Sequence, residues 1–255
     1  MQPMYPILEY DPDPQGIIDY DMQTDAMPGM PEHCVICFFR DVFARFLDQG
    51  LITLFTVIQT EMGDHPVYLH TVGGRTIALL HQGMGAALAA FLLEGAIELG
   101  ARKFIACGGA GVLDPTIAMG HILVPTAAIR DEGTSYHYLP PAREVAPTPT
   151  ALAALETVLK QRRIDYLLTK TWTTDGFFRE TKGKVALRRA EGCVAVEMEA
   201  AAMFAVARFR QVEFAQILYS GDSVNPEQWE HRDWVSNWTV REMLVELAAQ
   251  ACLTL

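Results

Sequence analysis

The chain has 255 residues, half of them hydrophobic, and its 31 acidic against 20 basic side chains give a formal net charge of −11. A length of this order suits one large α/β domain with a sizeable core. The acidic balance argues against a nucleic-acid binder, which presents a basic face. No apolar run reaches the roughly 18 residues of a membrane span, and no basic segment leads into an apolar one as in a signal peptide.

Residues 1–33 are dense in Pro, Asp and Met (PDPQG, MPGMPEH) and poor in helix signal. They are expected to form an arm, either lying on a neighbouring subunit or loosely ordered. From Cys34 the pattern changes. CVICF reads as a strand, and RDVFARFLDQG has helical spacing with Gly50 as a C-cap. The stretch 54–83 reads as consecutive strands broken by Gly- and Asp-containing turns. GAALAAFLLEGAIELG predicts a strong helix, and KFIACGGAG a strand that runs into glycines.

HILVPTAAIRDEG predicts one or two further strands, TPTALAALETVLKQRRI a helix, and DYLLTKTWTTD a strand ending at Asp175. A helix is expected from Gly183 to Arg189, then the strand CVAVEM, the helix EAAAMFAVARFR and the strand FAQILYSGD. The last helix is expected from about Asp233 to Leu255. Strands and helices alternate, so the fold class is α/β with three layers, and 34–255 form a single domain. The five cysteines, Cys34, Cys37, Cys107, Cys193 and Cys252, are scattered. Cys34 and Cys37 make a C-x-x-C inside an apolar strand, with no second pair to complete a zinc site. They read as core thiols of a reduced, cytoplasmic protein, and neither metal nor cofactor is expected.

Ligands of such folds gather where strands end. The strand ends are HQGMGA (81–86), ACGGAG (106–111), TTDGFF (173–178), VEMEA (196–200) and YSGDS (219–223). Gly83 and Gly85 open a helix whose free N–H groups favour an anion, and Gly109 lets the backbone approach a ligand closely. Glu197 and Glu199 lie two apart, so on an extended chain both point one way and could grip adjacent hydroxyls. Asp222 can act as a general acid if its pKa is raised. Phe177 offers a flat apolar face.

GMG at 83–85, GGAGVL at 108–113, VEMEAAA at 196–202 and GD at 221–222 stand in an order and spacing that resemble the nucleoside phosphorylase superfamily. That superfamily includes purine nucleoside phosphorylase, uridine phosphorylase and the methylthioadenosine nucleosidases. The similarity runs over roughly residues 34–250. AIRDEGTSYHYLPP (128–141) is most similar to the uridine phosphorylase branch. The resemblance implies a nucleoside-phosphorylase-like fold with a central mixed, partly barrelled sheet flanked by helices. It also implies reversible phosphorolysis of the N-glycosidic bond of a purine or pyrimidine nucleoside, with inorganic phosphate as co-substrate, in a homo-oligomer.

By the same resemblance Glu199 binds the ribose hydroxyls, Met198 and Met84 pack on the sugar, and Phe177 stacks on the base. Asp222 protonates the base with help from Arg232, and Gly109 adjoins phosphate. The departures are specific. FFRDV lacks the glycine that phosphorylases carry after the first strand and has its arginine displaced, and Ala106 stands where they place a second arginine. Arg40 is then the candidate phosphate ligand, with Arg45 or Arg130 reaching in from a neighbour. Arg179 or Lys182 would replace the uracil-reading side chains. His137 and the arm are candidates for a contact across subunits. One alternative is a nucleosidase using water, disfavoured by the lack of an obvious early acidic base. The other is a non-catalytic nucleoside binder.

Overall fold

The computed structural model describes residues 4–17, 26–225 and 228–255. Two parts of the expected arm, 1–3 and 18–25, lie outside the described residues. Among the described residues, eleven strands form one mixed sheet.

The chain enters the sheet with β1 (His33–Cys37), buried at Cys34, Val35, Ile36 and Cys37 and paired in parallel with β4 (Arg75–His81) and β5 (Lys103–Val112). A parallel strand covered on both faces needs a near-continuous apolar run, which HCVIC supplies. β2 (Ile52–Thr60) and β3 (Gly63–Val72) extend the sheet beyond β4 as an antiparallel meander. On the other side of β5 the sheet curls. β6 (Ile122–Asp131), β8 (Tyr166–Thr174), β9 (Cys193–Glu197) and β10 (Glu213–Val224) run in the order β10-β6-β8-β9-β5, and β5 also pairs with β10. Five strands thereby close a ring, the partly barrelled sheet that was expected. The short strands β7 (Glu144–Val145) and β11 (Trp229–Glu230) pair with β6 and β10.

The helices cover both faces. α1 (Arg40–Asp48) buries Val42, Phe43 and Phe46. α3 (Pro149–Arg162) and α6 (Trp238–Cys252) pack together on the core around Val35, Ile105 and Ile217. On the opposite face, α2 (Ala86–Leu99) packs on α5 (Ala200–Phe209) over Ile36, Phe104 and Phe214. Every residue of α5 from Ala200 to Ala207 is buried, because alanine side chains let a helix approach its neighbours on all sides. α4 (Lys182–Ala190) sits beside β9. All five cysteines are free and buried.

The start of the last helix differs from expectation. α6 starts at Trp238, after a 3-10 turn at Trp234–Ser236, not at Asp233. Arg232 and Asp233 have φ of 54° and 47°, a left-handed pair that a right-handed helix cannot include. Two arm residues bond this same chain: Met27 N–H donates to the Leu99 carbonyl, and Arg210 Nη1 donates to the Pro14 carbonyl.

Candidate active site

One hollow of about 860 Å³ opens over the ends of β1, β4, β5, β9 and β10. It is lined by Arg40, Gly83, Met84, Gly109, Phe177, Glu197, Met198, Glu199 and Asp222, so most residues singled out by sequence meet there.

Glu199 and Glu197 are placed by the turn from β9 into α5. Strand geometry ends at Glu197, and Glu199, the N-cap of α5, has φ −136° and ψ −29°. The two-residue alternation therefore stops between them, and the carboxylates take different jobs. Glu197 bends over the helix start, accepting from Glu199 N–H at 2.7 Å, Ala200 N–H at 2.6 Å and the Thr173 hydroxyl at 2.6 Å. It borders the hollow but is committed to holding α5, so it is a positioning residue rather than a sugar ligand. Glu199 crosses to α2 and accepts the Gly85 N–H at 2.6 Å. Burial first, and then the neighbouring Glu197, push the Glu199 carboxyl up. Burial pushes Glu197 up as well, but the Thr173 and Thr171 hydroxyls and the Ala200 and Glu199 N–H groups oppose the shift.

This geometry corrects the anion reading of Gly85. Its N–H at the start of α2 is occupied by Glu199, an internal anion, and only Gly83 of the pair lines the hollow.

Asp222 is aimed by a β-bulge. The pairing of β10 with β5 shifts register between Ser220 and Ser223, and a bulge of this kind redirects the side chains within it. Asp222 Oδ2 accepts the Trp229 indole N–H at 2.6 Å. Its Oδ1 lies 3.4 Å from where a Cβ on Gly111 would stand, so the missing side chain there makes its room. Gly109 is equally tight: a Cβ would come within 3.2 Å of the Tyr219 ring. The Tyr219 ring thus takes the space a side chain would need at this position.

Arg232 does not assist Asp222. Its guanidinium donates to the carbonyls of Ile117 and Pro115, outside the lining of the hollow. Arg45 pairs with Glu242, and Arg130 is buried on Ser135, Leu139 and Pro140. Arg179, Lys182 and His137 are also absent from the lining, whereas Arg40 stands exposed at its edge. Phe177 and Met84 are at the mouth, 51% and 77% exposed.

Several polar lining residues escaped the sequence reading. Asp41 and Arg241 form an ion pair at 2.7 Å, and Arg241 also donates to the Tyr219 hydroxyl. Asp41 Oδ2 is buried without a protein partner. An early acidic side chain that the sequence did not point to therefore stands in the lining of the hollow. Gln82 and Gln216 are 2% and 1% exposed, and the side-chain polar atoms of Gln82 and Oε1 of Gln216 are likewise unpartnered. Glu180 lines the hollow with Asp222. The only signal for Gln216 in the sequence was an amide inside the apolar strand FAQILY.

A mixed-sheet α/β domain with buried carboxyls around a hollow at its strand ends defines a small-molecule site of the strand-end type. The family model described as the Phosphorylase superfamily matches residues 32–254, and the chain belongs to that family. A uridine phosphorylase from Treponema pallidum is 28% identical over 166 residues, 61% of this chain; the chain spans 64% of that relative's length. Among solved structures, purine nucleoside phosphorylase from Toxoplasma gondii with immucillin-H superposes with a TM-score of 0.74 at 20% identity, covering 88% of this chain and 91% of the other. AMP nucleosidase from Bacteroides thetaiotaomicron gives 0.68 at 24% identity, covering 88% and 89%.

Proposed function

We propose that this protein cleaves the N-glycosidic bond of a nucleoside by transferring the pentosyl group to phosphate. The observation that carries this reading is the convergence of Glu199 and Asp222 on one hollow. Glu199, fixed by Gly85 and ionised when substrate is bound, accepts hydrogen bonds from the ribose 2′- and 3′-hydroxyls. Met198 and Met84 cover the sugar, and Phe177 lies on the base. Asp222 faces the leaving base and, as the general acid, passes it a proton as the bond breaks. Arg40, with the backbone at Gly83 and Gly109, receives phosphate. The uridine phosphorylase relative supports phosphate as the nucleophile.

A second reading, hydrolysis, is favoured by Asp41. A buried carboxylate oxygen without a partner at the edge of the hollow suits a base for water and repels phosphate. The fold itself also serves an AMP nucleosidase. Base release from a panel of purine and pyrimidine nucleosides, with and without phosphate, decides between them. Release only with phosphate is the expected result. Equal release in phosphate-free buffer selects water and Asp41. Binding without release rejects both and leaves a non-catalytic nucleoside binder.

A further inference from the structure

Asp41 and Arg241 meet in the lining of the hollow, and their contact leaves hydrogen-bonding capacity on both. Arg241 comes from α6 and is 7% exposed. Its guanidinium carbon stands 5.1 Å from the Phe39 ring centre and 5.4 Å from that of Trp234. Nε donates to the Tyr219 hydroxyl at 3.2 Å, and Nη1 donates to Asp41 Oδ1 at 2.7 Å. The Tyr219 hydroxyl is anchored in turn, donating to the Trp234 carbonyl at 3.1 Å. Nη2 donates to no described residue. Asp41 lies in the first turn of α1, and its Oδ2 has no partner. The cluster is seated at Gly109: the Tyr219 hydroxyl lies 3.5 Å from where a Cβ on Gly109 would stand.

We infer that the Asp41–Arg241 pair is an oxyanion subsite that demands a hydrogen on the anion, so that the protein accepts hydrogenphosphate or arsenate and rejects sulfate. This inference rests on the phosphate reading above and names the chemical class of the nucleophile. The pair presents an uncommitted donor, Nη2, next to a carboxylate that can only accept. Its two charges cancel, so the pair alone does not concentrate anions. Arg40, at the edge of the hollow, supplies the surplus positive charge, and the start of α1, which no side chain caps, adds to it.

The repulsion that Asp41 exerts on phosphate is thereby turned into selection. An oxyanion with no hydrogen sets oxygen against the Asp41 carboxylate, acceptor against acceptor, and leaves that buried group unsatisfied. An oxyanion that keeps a P–O–H or As–O–H group directs its hydrogen at Asp41 and a bare oxygen at Arg241, which satisfies both partners. Inorganic phosphate and arsenate carry at least one hydrogen at neutral pH, and sulfate carries none. In the transfer, a bare phosphate oxygen bonds to the anomeric carbon as the glycosidic bond breaks, and the electron pair of that bond leaves with the base. The phosphate keeps the hydrogen shared with Asp41 and departs as the hydrogen ester of the pentose. Asp41 is therefore a binding residue for the nucleophile and takes no proton from it.

The test uses the full chain with inorganic phosphate, arsenate and sulfate at neutral pH, by titration calorimetry and as co-substrates or inhibitors of base release. Wild-type protein is expected to bind phosphate and arsenate about tenfold or more tightly than sulfate. Asp41→Asn keeps an oxygen for Arg241 and puts a donor where the free acceptor was, so sulfate affinity rises and the preference for phosphate disappears. Arg241→Lys keeps the charge but not the second donor, so KM for phosphate rises about tenfold with a smaller change in kcat. Circular-dichroism melts accompany both variants, and the wild-type comparison needs neither. Equal wild-type affinity for phosphate and sulfate, a phosphate preference that survives Asp41→Asn, or no binding of any of the three anions each overturns the inference. Selective phosphate binding with equal base release in phosphate-free buffer upholds the subsite and refutes phosphorolysis. Phosphate-dependent release that sulfate inhibits with phosphate-like affinity upholds phosphorolysis and refutes the subsite.

Discussion

Glu199 illustrates how a single residue joins fold and chemistry. Its carboxylate spans from the start of α5 to the start of α2 through the Gly85 N–H, so the group offered to a sugar is held by the backbone of another helix. Glu199→Gln keeps an oxygen for Gly85 but loses the charged acceptor. It is expected to lower kcat/KM by about 100-fold or more with an unchanged circular-dichroism melt; wild-type turnover would refute the ribose assignment. Trp229→Phe removes the donor that orients Asp222. A fall in kcat with little change in KM or melting temperature is the expected steady-state result. Glu199, Met198 and Asp222 were legible in the sequence because each follows an apolar strand. Asp41 and Glu180 were not, since each sits among charged neighbours at a helix start or turn, where acidic residues are ordinary.

At the scale of elements, the bulge in β10 and the start of α6 shape the site. Gly111 faces the bulge from β5, and an added Cβ would come within 2.9 Å of Val224 and 3.1 Å of Val196. Gly111→Ala is expected to cost about 1–3 kcal/mol in denaturant unfolding and to lower activity further by displacing Asp222. α6 brings Arg241 onto Asp41 of α1, tying together two helices 200 residues apart in sequence. Arg241→Leu leaves Asp41 partly buried and unpaired, and a loss of about 3–5 kcal/mol is expected. Asp41→Asn in the same background should recover part of it. The elements themselves were largely readable from apolar periodicity. The late start of α6 was not, because the left-handed pair Arg232–Asp233 has no glycine to mark it.

Over the whole molecule, buried acids set the response to pH. Glu180 is pushed from the ordinary 4.5 to about 7, by burial and then by Asp222. Between those values the native state holds a proton that the unfolded chain has released, so this contribution to stability declines as pH rises through the window. Asp131 acts in the opposite sense: burial opposes it, but Arg188, Lys184 and Trp172 bring it below its ordinary value, so its contribution is lost in acid. Thermal melts should therefore show stability falling as pH rises from about 4.5 to about 7, and Glu180→Gln should flatten that fall. A wild-type melting temperature that climbs across the window would contradict the Glu180 environment described here.

By itself the sequence determined the α/β class, the succession of strands and helices, and the strand ends where a ligand would sit, because these follow from local periodicity and turn chemistry. Only the tertiary structure decided which charged groups share the hollow. It turned Arg232 away, gave the Gly85 N–H to Glu199, and brought Asp41, Glu180, Gln82, Gln216 and Arg241 inside. The physical reason is that ring closure of the sheet and the crossing of helices set side-chain meetings across more than a hundred residues. No local pattern encodes such distances.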